Sequence, residues 1–183
     1  NVEIAENSEV QIIEEKAFSD ASIEIINIPR YVKRICNGAF SLCKKLHHVK
    51  IHENSELQII EGCAFFRSNI EQIYIPSHVT RIGEEAFSFC KMLQHVCIAQ
   101  NSDLQTIENH VFFDTSITSI SIPSQLKRIC SNAFSSCKKL KKISIPENSQ
   151  IQSIFQDSQE LKELINLEDQ LFSLNDQNFP TVF

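Results

Sequence analysis

Hydrophobic and polar positions alternate along this chain in a pattern that returns every 47 residues. The same Asn-Ser dipeptide marks one point of each successive unit, at Asn7-Ser8, Asn54-Ser55, Asn101-Ser102 and Asn148-Ser149. A fixed period of this length is typical of a solenoid, in which each unit packs only on its neighbours. Because such a fold offers a long surface built of repeated units, the pattern favours binding over catalysis.

Each unit consists of two similar halves of about 23 and 24 residues. Every half carries an aliphatic pair such as Val79 and Ile82, then one phenylalanine, then an aliphatic triplet such as Leu93, Val96 and Ile98. The six aligned phenylalanines are Phe18, Phe40, Phe65, Phe87, Phe112 and Phe134. The last two triplet members have strand spacing and are mostly β-branched. The segment around each phenylalanine is polar, which predicts a turn or one helical turn that places a single ring in the core.

These residues resemble the BspA-like leucine-rich repeats. The segments IPSHVTRIGEEAFSFCKMLQHVCI (Ile75 to Ile98) and IPSQLKRICSNAFSSCKKLKKISIP (Ile122 to Pro146) match the repeat of that family almost position for position. The resemblance covers roughly residues 2–154, although the alternate halves with AFSDAS, AFFRSN and VFFDTS lack its cysteine. Proteins of this family are abundant in some anaerobic bacteria and parasitic protists. The resemblance implies a cell-surface or secreted role in adhesion and host interaction, and it implies no catalytic residue.

The predicted fold class is therefore an α/β repeat: a leucine-rich-repeat solenoid over residues 1–154, with a parallel sheet on one face and short turns or 3₁₀ segments on the other. Val2 and Ile4 align with Val49 and Ile51, which suggests that the chain begins inside a repeat of a longer solenoid. Residues 155–183 break the pattern. There, Ser158 is a suitable N-cap for a helix to about Leu174, which predicts a C-terminal helical cap over the open core. The alternatives for this segment are that it binds a partner or is disordered.

Charge and composition exclude several classes of function. The net charge is −6, yet residues 1–154 carry 17 acidic and 16 basic side chains, whereas residues 155–183 carry 6 acidic and 1 basic. This balance lacks the basic surplus expected of a nucleic-acid or anionic-membrane protein. No apolar run reaches the roughly 18 residues that span a membrane. With only 3 glycines, the chain offers no glycine-rich phosphate loop, and we predict no cofactor.

Seven cysteines raise the question of disulfides. Cys43, Cys90 and Cys137 occupy one column of the repeat, with neighbours two half-repeats apart, or roughly 10 Å by strand spacing. Because a disulfide needs Cα atoms within about 7 Å, this column cannot be bridged. We predict that most of the cysteines are small buried apolar residues. Reduced thiols fit a reducing compartment, or the surface of an anaerobe, better than an oxidised secretory protein.

The outward positions of the predicted strands form two rows across the sheet, and they are the candidate binding face. Its most distinctive members are Ile25, His48, Lys50, Gln72, Tyr74, His95 and Lys142. An ordinary solvated sheet face would show the same alternation. His47 and His48 are consecutive on a predicted strand and should face opposite sides, so no metal site is expected. Lysine pairs such as Lys44-Lys45 and Lys138-Lys139 could form a modest basic strip or simply keep the sheet edge soluble.

Three functional hypotheses remain. The first, from the resemblance, is a non-enzymatic module of a surface or secreted adhesion protein that binds a host or matrix protein. The second is an intracellular protein-interaction scaffold, favoured by the reduced cysteines and by the absence of an N-glycosylation sequon in the chain. The third is self-association through an unpaired strand edge at the N-terminal end. An enzyme is not expected, since a column of cysteines inside a solenoid offers no cleft.

Overall fold

The chain folds into a stack of parallel turns bounded by two sheets, as seen in a computed structural model that describes residues 4–5, 8–130, 132–146 and 149. The longer strands pair in the order β12-β10-β8-β6-β4-β2, here called the long-strand sheet. The two-residue strands pair in the order β1-β3-β5-β7-β9-β11, here called the short-strand sheet. Their bounds are β1 Ile12–Ile13, β2 Ile25–Ile28, β3 Arg34–Ile35, β4 His48–Ile51, β5 Ile59–Ile60, β6 Gln72–Ile75, β7 Arg81–Ile82, β8 His95–Ile98, β9 Thr106–Ile107, β10 Ser119–Ser121, β11 Arg128–Ile129 and β12 Lys142–Ser144.

The sequence pattern locates the long-strand sheet but misses the short one. The aliphatic pair of each half, to which the pattern assigns no strand, ends in a two-residue strand. Ile60, Ile82 and Ile107 each occupy the second position of such a strand and are fully buried. Each strand is too short to show a period-2 alternation, because one buried and one outward residue complete it. The parallel sheet predicted on one face is thus one of two.

The α/β assignment is wrong for the described residues, which contain no helix. The segment around each phenylalanine is a run of turns rather than a helical turn. Its backbone is left-handed two residues before and two residues after the ring, at φ between 51° and 63°, which is incompatible with a right-handed helix. These left-handed positions are Lys16, Asp20, Gly38, Leu42, Cys63, Arg67, Glu85, Phe89, His110, Asp114 and Ser136. The fold is therefore an all-β solenoid of parallel strands with a third side made of turns, here called the turn side. The predicted cap within 155–183 lies outside the described residues.

A ladder of stacked phenylalanine rings runs through the core along the axis of the stack. Neighbouring ring centroids from Phe18 to Phe134 are 5.1–5.6 Å apart, and the ring planes agree within 10°. The four central rings are fully buried, whereas Phe18 at one end is only partly buried. Backbone bonds hold the same turns together: the amide of Phe40 donates to Ala64 O at 2.7 Å, and that of Phe65 to Ala86 O at 2.8 Å. Each of the four central rings is therefore covered by the turns above and below it.

The repeated Asn-Ser dipeptide belongs to the longer of two alternating loops. Loops 52–58 and 99–105, after β4 and β8, have two residues more than loops 29–33 and 76–80. The buried hydroxyl of Ser55 accepts the amide hydrogen of Leu57 at 3.2 Å, and Ser102 does the same for Leu104 at 3.2 Å. A serine at this point satisfies a backbone donor that the loop would otherwise leave buried and unpaired.

Replacing one ring of the ladder should destabilise the whole stack. We expect Phe87→Ala to lower the free energy of unfolding by about 3–5 kcal/mol, because the ring is fully buried between two others. Urea unfolding monitored by circular dichroism measures this loss. Met92→Ala, at a side chain that is 43% exposed, is the matched control and should change stability little. Equal stability of the two variants would contradict the assignment of Phe87 to the core.

Candidate functional site

The outward side chains of the long-strand sheet line up in rows, as the sequence predicts. One row is continuous through the register of the strands and comprises Ile25, His48, Gln72, His95, Ser119 and Lys142. The second row contains the cross-strand pairs Asn27 with Lys50, Tyr74 with Cys97, and Ser121 with Ser144. The structure therefore brings all seven predicted face residues onto one sheet surface. Whether this surface binds a ligand stays a prediction.

The number of paired residues differs between neighbouring strands of this sheet, and it varies with the length of the loop that follows the strand. Strands β2 and β4 pair at four positions, as do β6 and β8, but β4 and β6 pair only at His48 with Gln72. The two strands that a longer loop follows, β4 and β8, each pair with the next long strand at a single position. As a result, Lys50 and Tyr74 are not register partners, and the second row is interrupted between them.

An open depression lies at the start of strands β2, β4 and β6. It is lined by Glu24, Ile25, His47, His48 and Glu71. Residue His47 precedes β4 instead of lying in it, so the expectation that His47 and His48 face opposite sides is wrong: both are partly buried and both line this depression. The Nδ1 atom of His47 is shielded from solvent and lies 3.4 Å from Glu71 Oε1, without the geometry of a hydrogen bond.

The aromatic residue at the centre of the face is Tyr74, whose side chain is 42% exposed. Partial burial raises the pKa of its phenol, and the adjacent Cys97 adds to the effect, because both disfavour the phenolate. The phenol therefore keeps its proton at neutral pH and can both donate and accept hydrogen bonds. Tyrosine in this setting combines contact area with polar specificity, as protein interfaces favour.

Metal binding finds no support in the geometry. Within the described ranges 4–5, 8–130, 132–146 and 149, no three His, Cys, Asp or Glu side chains converge closely enough to hold an ion. Those same residues include no helix that is long and apolar enough to cross a membrane.

The cysteine column has a structural role that the sequence reasoning missed. The thiols of Cys43, Cys90 and Cys137 donate to the carbonyl oxygens of Phe18, Phe65 and Phe112 at 3.0, 3.0 and 2.9 Å. Each thus satisfies an acceptor at the preceding turn of the stack. No disulfide links any of the seven cysteines, all of which the structure describes, but only Cys43 and Cys90 are fully buried. The expectation that most are buried is therefore wrong for the other five, which are partly accessible.

These buried thiols are poor nucleophiles. Burial raises the pKa of Cys90 to about 12, and it also raises the pKa of Cys43 and Cys137. Because the thiolate is the reactive form, a thiol held protonated at neutral pH is inert. The column therefore belongs to the scaffold.

The turn side carries an aromatic cluster that sequence reasoning also missed. Phe66, Phe89 and Phe113 are partly buried and pack edge to face, with centroids 5.6 and 5.1 Å apart. A signal was available: at the corresponding positions other turns hold serine or aspartate, so large apolar residues here depart from the repeat.

The geometry so far defines a class: a parallel-strand leucine-rich-repeat solenoid of about six turns whose surfaces suit protein binding. The BspA type leucine rich repeat region matches residues 1–94 and 58–181 in 6 copies. The chain belongs to this family, whose repeat serves protein interaction. Comparison with curated proteins gives no match.

Solved structures share the fold. A leucine-rich repeat protein from Bacteroides ovatus is 34% identical with a TM-score of 0.71, and the match covers 80% of this chain and 37% of that one. The pneumococcal vaccine antigen PcpA is 28% identical with a TM-score of 0.71, over 76% of this chain and 36% of that one. A T. pallidum leucine-rich repeat protein is 22% identical with a TM-score of 0.52, over 79% and 58%, and shows the fold alone. The chain therefore spans little more than a third of the first two.

The buried thiols should make stability fall in alkaline solution. In the unfolded chain Cys90 titrates near its ordinary pKa of 9.0, whereas in the folded chain its pKa is raised to about 12. Its contribution is thus fully present below pH 9 and is lost progressively as the pH rises towards 12. We expect the free energy of unfolding, measured with urea between pH 8 and pH 10.5, to fall less steeply in Cys90→Ser. Identical slopes in the two proteins would contradict this account.

Proposed function

We propose that this chain is the repeat region of a surface-exposed or secreted protein that binds a protein ligand, of a host, a matrix or another cell, through the outward face of the long-strand sheet. The observation that carries the proposal is the contrast between the two sides of that sheet. The inward positions are aliphatic throughout, whereas the outward rows change from turn to turn between imidazole, amide, phenol, hydroxyl and ammonium groups. A regular scaffold with varied outward side chains is suited to recognition.

The charges on the outward face indicate which charged groups a complementary ligand would carry. The two outward rows contain Lys50 and Lys142 and two histidines, and they contain no carboxylate. Residues 1–154 are almost balanced, with 17 acidic and 16 basic side chains, so this face is more basic than the repeat region as a whole. Only at the depression do Glu24 and Glu71 approach it. A ligand surface with acidic groups towards the Lys142 end and a basic group near the depression would complement it.

Two similarities support the location. The chain shares its fold with PcpA, which is a pneumococcal vaccine antigen, and with the leucine-rich repeat protein from Bacteroides ovatus. Staining intact and permeabilised source cells with an antibody against this region tests the proposal. Signal on intact cells supports a surface role, and signal only after permeabilisation overturns it.

The second candidate function is an intracellular protein-interaction scaffold. One observation favours it: no disulfide joins the seven cysteines, a state that a reducing compartment maintains. The same staining separates the two candidates. Self-association through a strand edge also stays a prediction, and sedimentation velocity at several protein concentrations tests it.

Removing the central side chains of the face should weaken ligand binding without unfolding the protein. We expect the double variant Tyr74→Ala, His48→Ala to lose about tenfold or more in affinity for a ligand found by probing an array of purified matrix and serum proteins, since an interface tyrosine commonly contributes more than 1 kcal/mol. Surface plasmon resonance measures the change.

The matched control for this experiment is Tyr31→Ala. Tyr31 is 40% exposed, close to the 42% of Tyr74, but it lies in the loop after β2. It should bind like the unaltered chain. An unchanged affinity of the double variant would place the binding site on another side of the solenoid.

A further inference from the structure

A second surface of the molecule lies on the turn side and consists of Leu42, Phe66, Phe89 and Phe113, here called the aromatic patch. The amide of Leu42 donates to Phe66 O at 2.7 Å, and that of Phe89 to Phe113 O at 2.8 Å, so the four residues lie on adjacent turns. The rings meet edge to face, at interplanar angles of 82° and 71°. Leu42 is 36% exposed, and the three rings keep part of their surface in solvent.

The core does not require apolar residues at these positions. Directly after the core ring, other turns place Ser19, Ser41, Ser88 and Ser135. Two residues after it, other turns place Asp20, Asp114 and Ser136 in the same left-handed conformation, at φ of 58°, 51° and 63°. The patch is thus confined to the middle turns and ends at polar residues on both sides.

Two members of the patch occupy a backbone conformation that is unfavourable for large side chains. Leu42 has φ of 62° and Phe89 has φ of 59°. A left-handed residue other than glycine costs about 1–2 kcal/mol, and asparagine or aspartate tolerates it best. Burial of these apolar side chains does not fully offset this cost, since the side chains remain partly exposed. Their presence is accounted for if they are buried when a partner binds.

Cations surround and cover the patch. The guanidinium of Arg67 lies over the rings of Phe66 and Phe89, 5.2 and 5.0 Å from their centroids. The ammonium of Lys44 donates to Arg67 O at 2.7 Å. Lys91 pairs with Asp114 at 3.2 Å, with its side chain 69% exposed. Among the described residues, Lys44, Arg67 and Lys91 thus give this part of the turn side more positive charge than Asp114 offsets.

We propose that the aromatic patch is a docking site for an acidic peptide segment that also carries large apolar side chains. The apolar side chains of the partner would cover the exposed parts of the rings, and its carboxylates would meet Arg67 and Lys91. An anionic lipid surface is less well matched. The rings pack against one another on turns fixed by backbone hydrogen bonds, whereas insertion into a bilayer would need side chains that project freely.

The repeat itself supplies variants that the backbone accommodates. Phe66→Ser copies Ser19, and Phe89→Ser copies Ser136, which has the same left-handed conformation. Arg67→Asp copies Asp20 and Asp114. Urea midpoints near that of the unaltered chain would establish that each variant is folded. Tyr74→Ala on the long-strand sheet is the control for a site elsewhere.

The test is selection of a random twelve-residue peptide library displayed on phage, with the unaltered chain as bait and the Phe66→Ser, Phe89→Ser double variant for counter-selection. We expect enrichment of peptides that combine Asp or Glu with Phe, Leu or Trp. Synthetic copies, measured by fluorescence anisotropy, should bind the double variant and Arg67→Asp at least about tenfold more weakly, and should bind Tyr74→Ala normally. Replacing each acidic residue of the peptide by lysine should abolish binding to the unaltered chain.

Three results would each overturn the proposal. One is failure to enrich any peptide that the double variant does not also bind. Another is enrichment of basic or uncharged peptides. The last is binding to phosphatidylserine vesicles that is lost in the double variant while the acidic peptides bind neither protein, which would assign the patch to a membrane surface. Because the readout depends on the turn side and not on Tyr74, its failure leaves the proposed function of the long-strand sheet untouched.

Discussion

The stacking of one turn on the next is the interaction on which the rest of this structure depends. A single turn of about two dozen residues has only one ring and a few aliphatic side chains, and by itself it cannot bury them. On the stack, each ring from Phe40 to Phe112 is covered by rings on both sides, at 5.1–5.6 Å. The same translation aligns amides with the carbonyls of the next turn. One repeated displacement from turn to turn thus buries the rings and pairs the backbone. Phe18, at the end of the ladder, stacks on Phe40 and is only partly buried.

That constraint decides which side chains are free to vary. Positions inside the stack must reproduce the shape of the repeat, as the column of Cys43, Cys90 and Cys137 illustrates. In the alternate halves the column holds Ala21, Ser68 and Thr115, and the Thr115 hydroxyl donates to Phe112 O at 3.0 Å, as the thiol of Cys137 does at 2.9 Å. The column therefore holds small side chains throughout, and the cysteines and Thr115 each add a hydrogen bond to a backbone carbonyl. Outward positions carry no such requirement, so their chemistry can be matched to a partner.

The sequence predicts what repeats with a hydrophobic period and fails where the period is absent. Spacing of two between Val96 and Ile98, repeated six times, was sufficient for the long-strand sheet and its rows. The short strands could not be recognised, because Arg81 and Ile82 form a complete strand with one residue of each kind. The turns were equally hidden: apart from Gly38, the left-handed positions are occupied by residues such as Lys16 and His110, not by the glycine that normally marks them. The orientation of His47 depends on whether β4 begins at residue 47 or 48, and a hydrophobic pattern does not define the start of a strand to one residue.

Net charge is a poor guide to the surfaces of such a molecule, since a solenoid spreads its charges over separate sides. The excess of acidic residues lies mainly in 155–183, while residues 1–154 are almost balanced. Within that balance, the outward rows of the long-strand sheet have no carboxylate, and on the turn side Arg67 lies over two aromatic rings. Fields of exposed charges decay over roughly 8–10 Å in physiological salt, so each side acts on a partner largely through its own groups. A protein that is acidic overall can therefore present surfaces on which basic groups predominate, because the local columns of the repeat set the charge of each side.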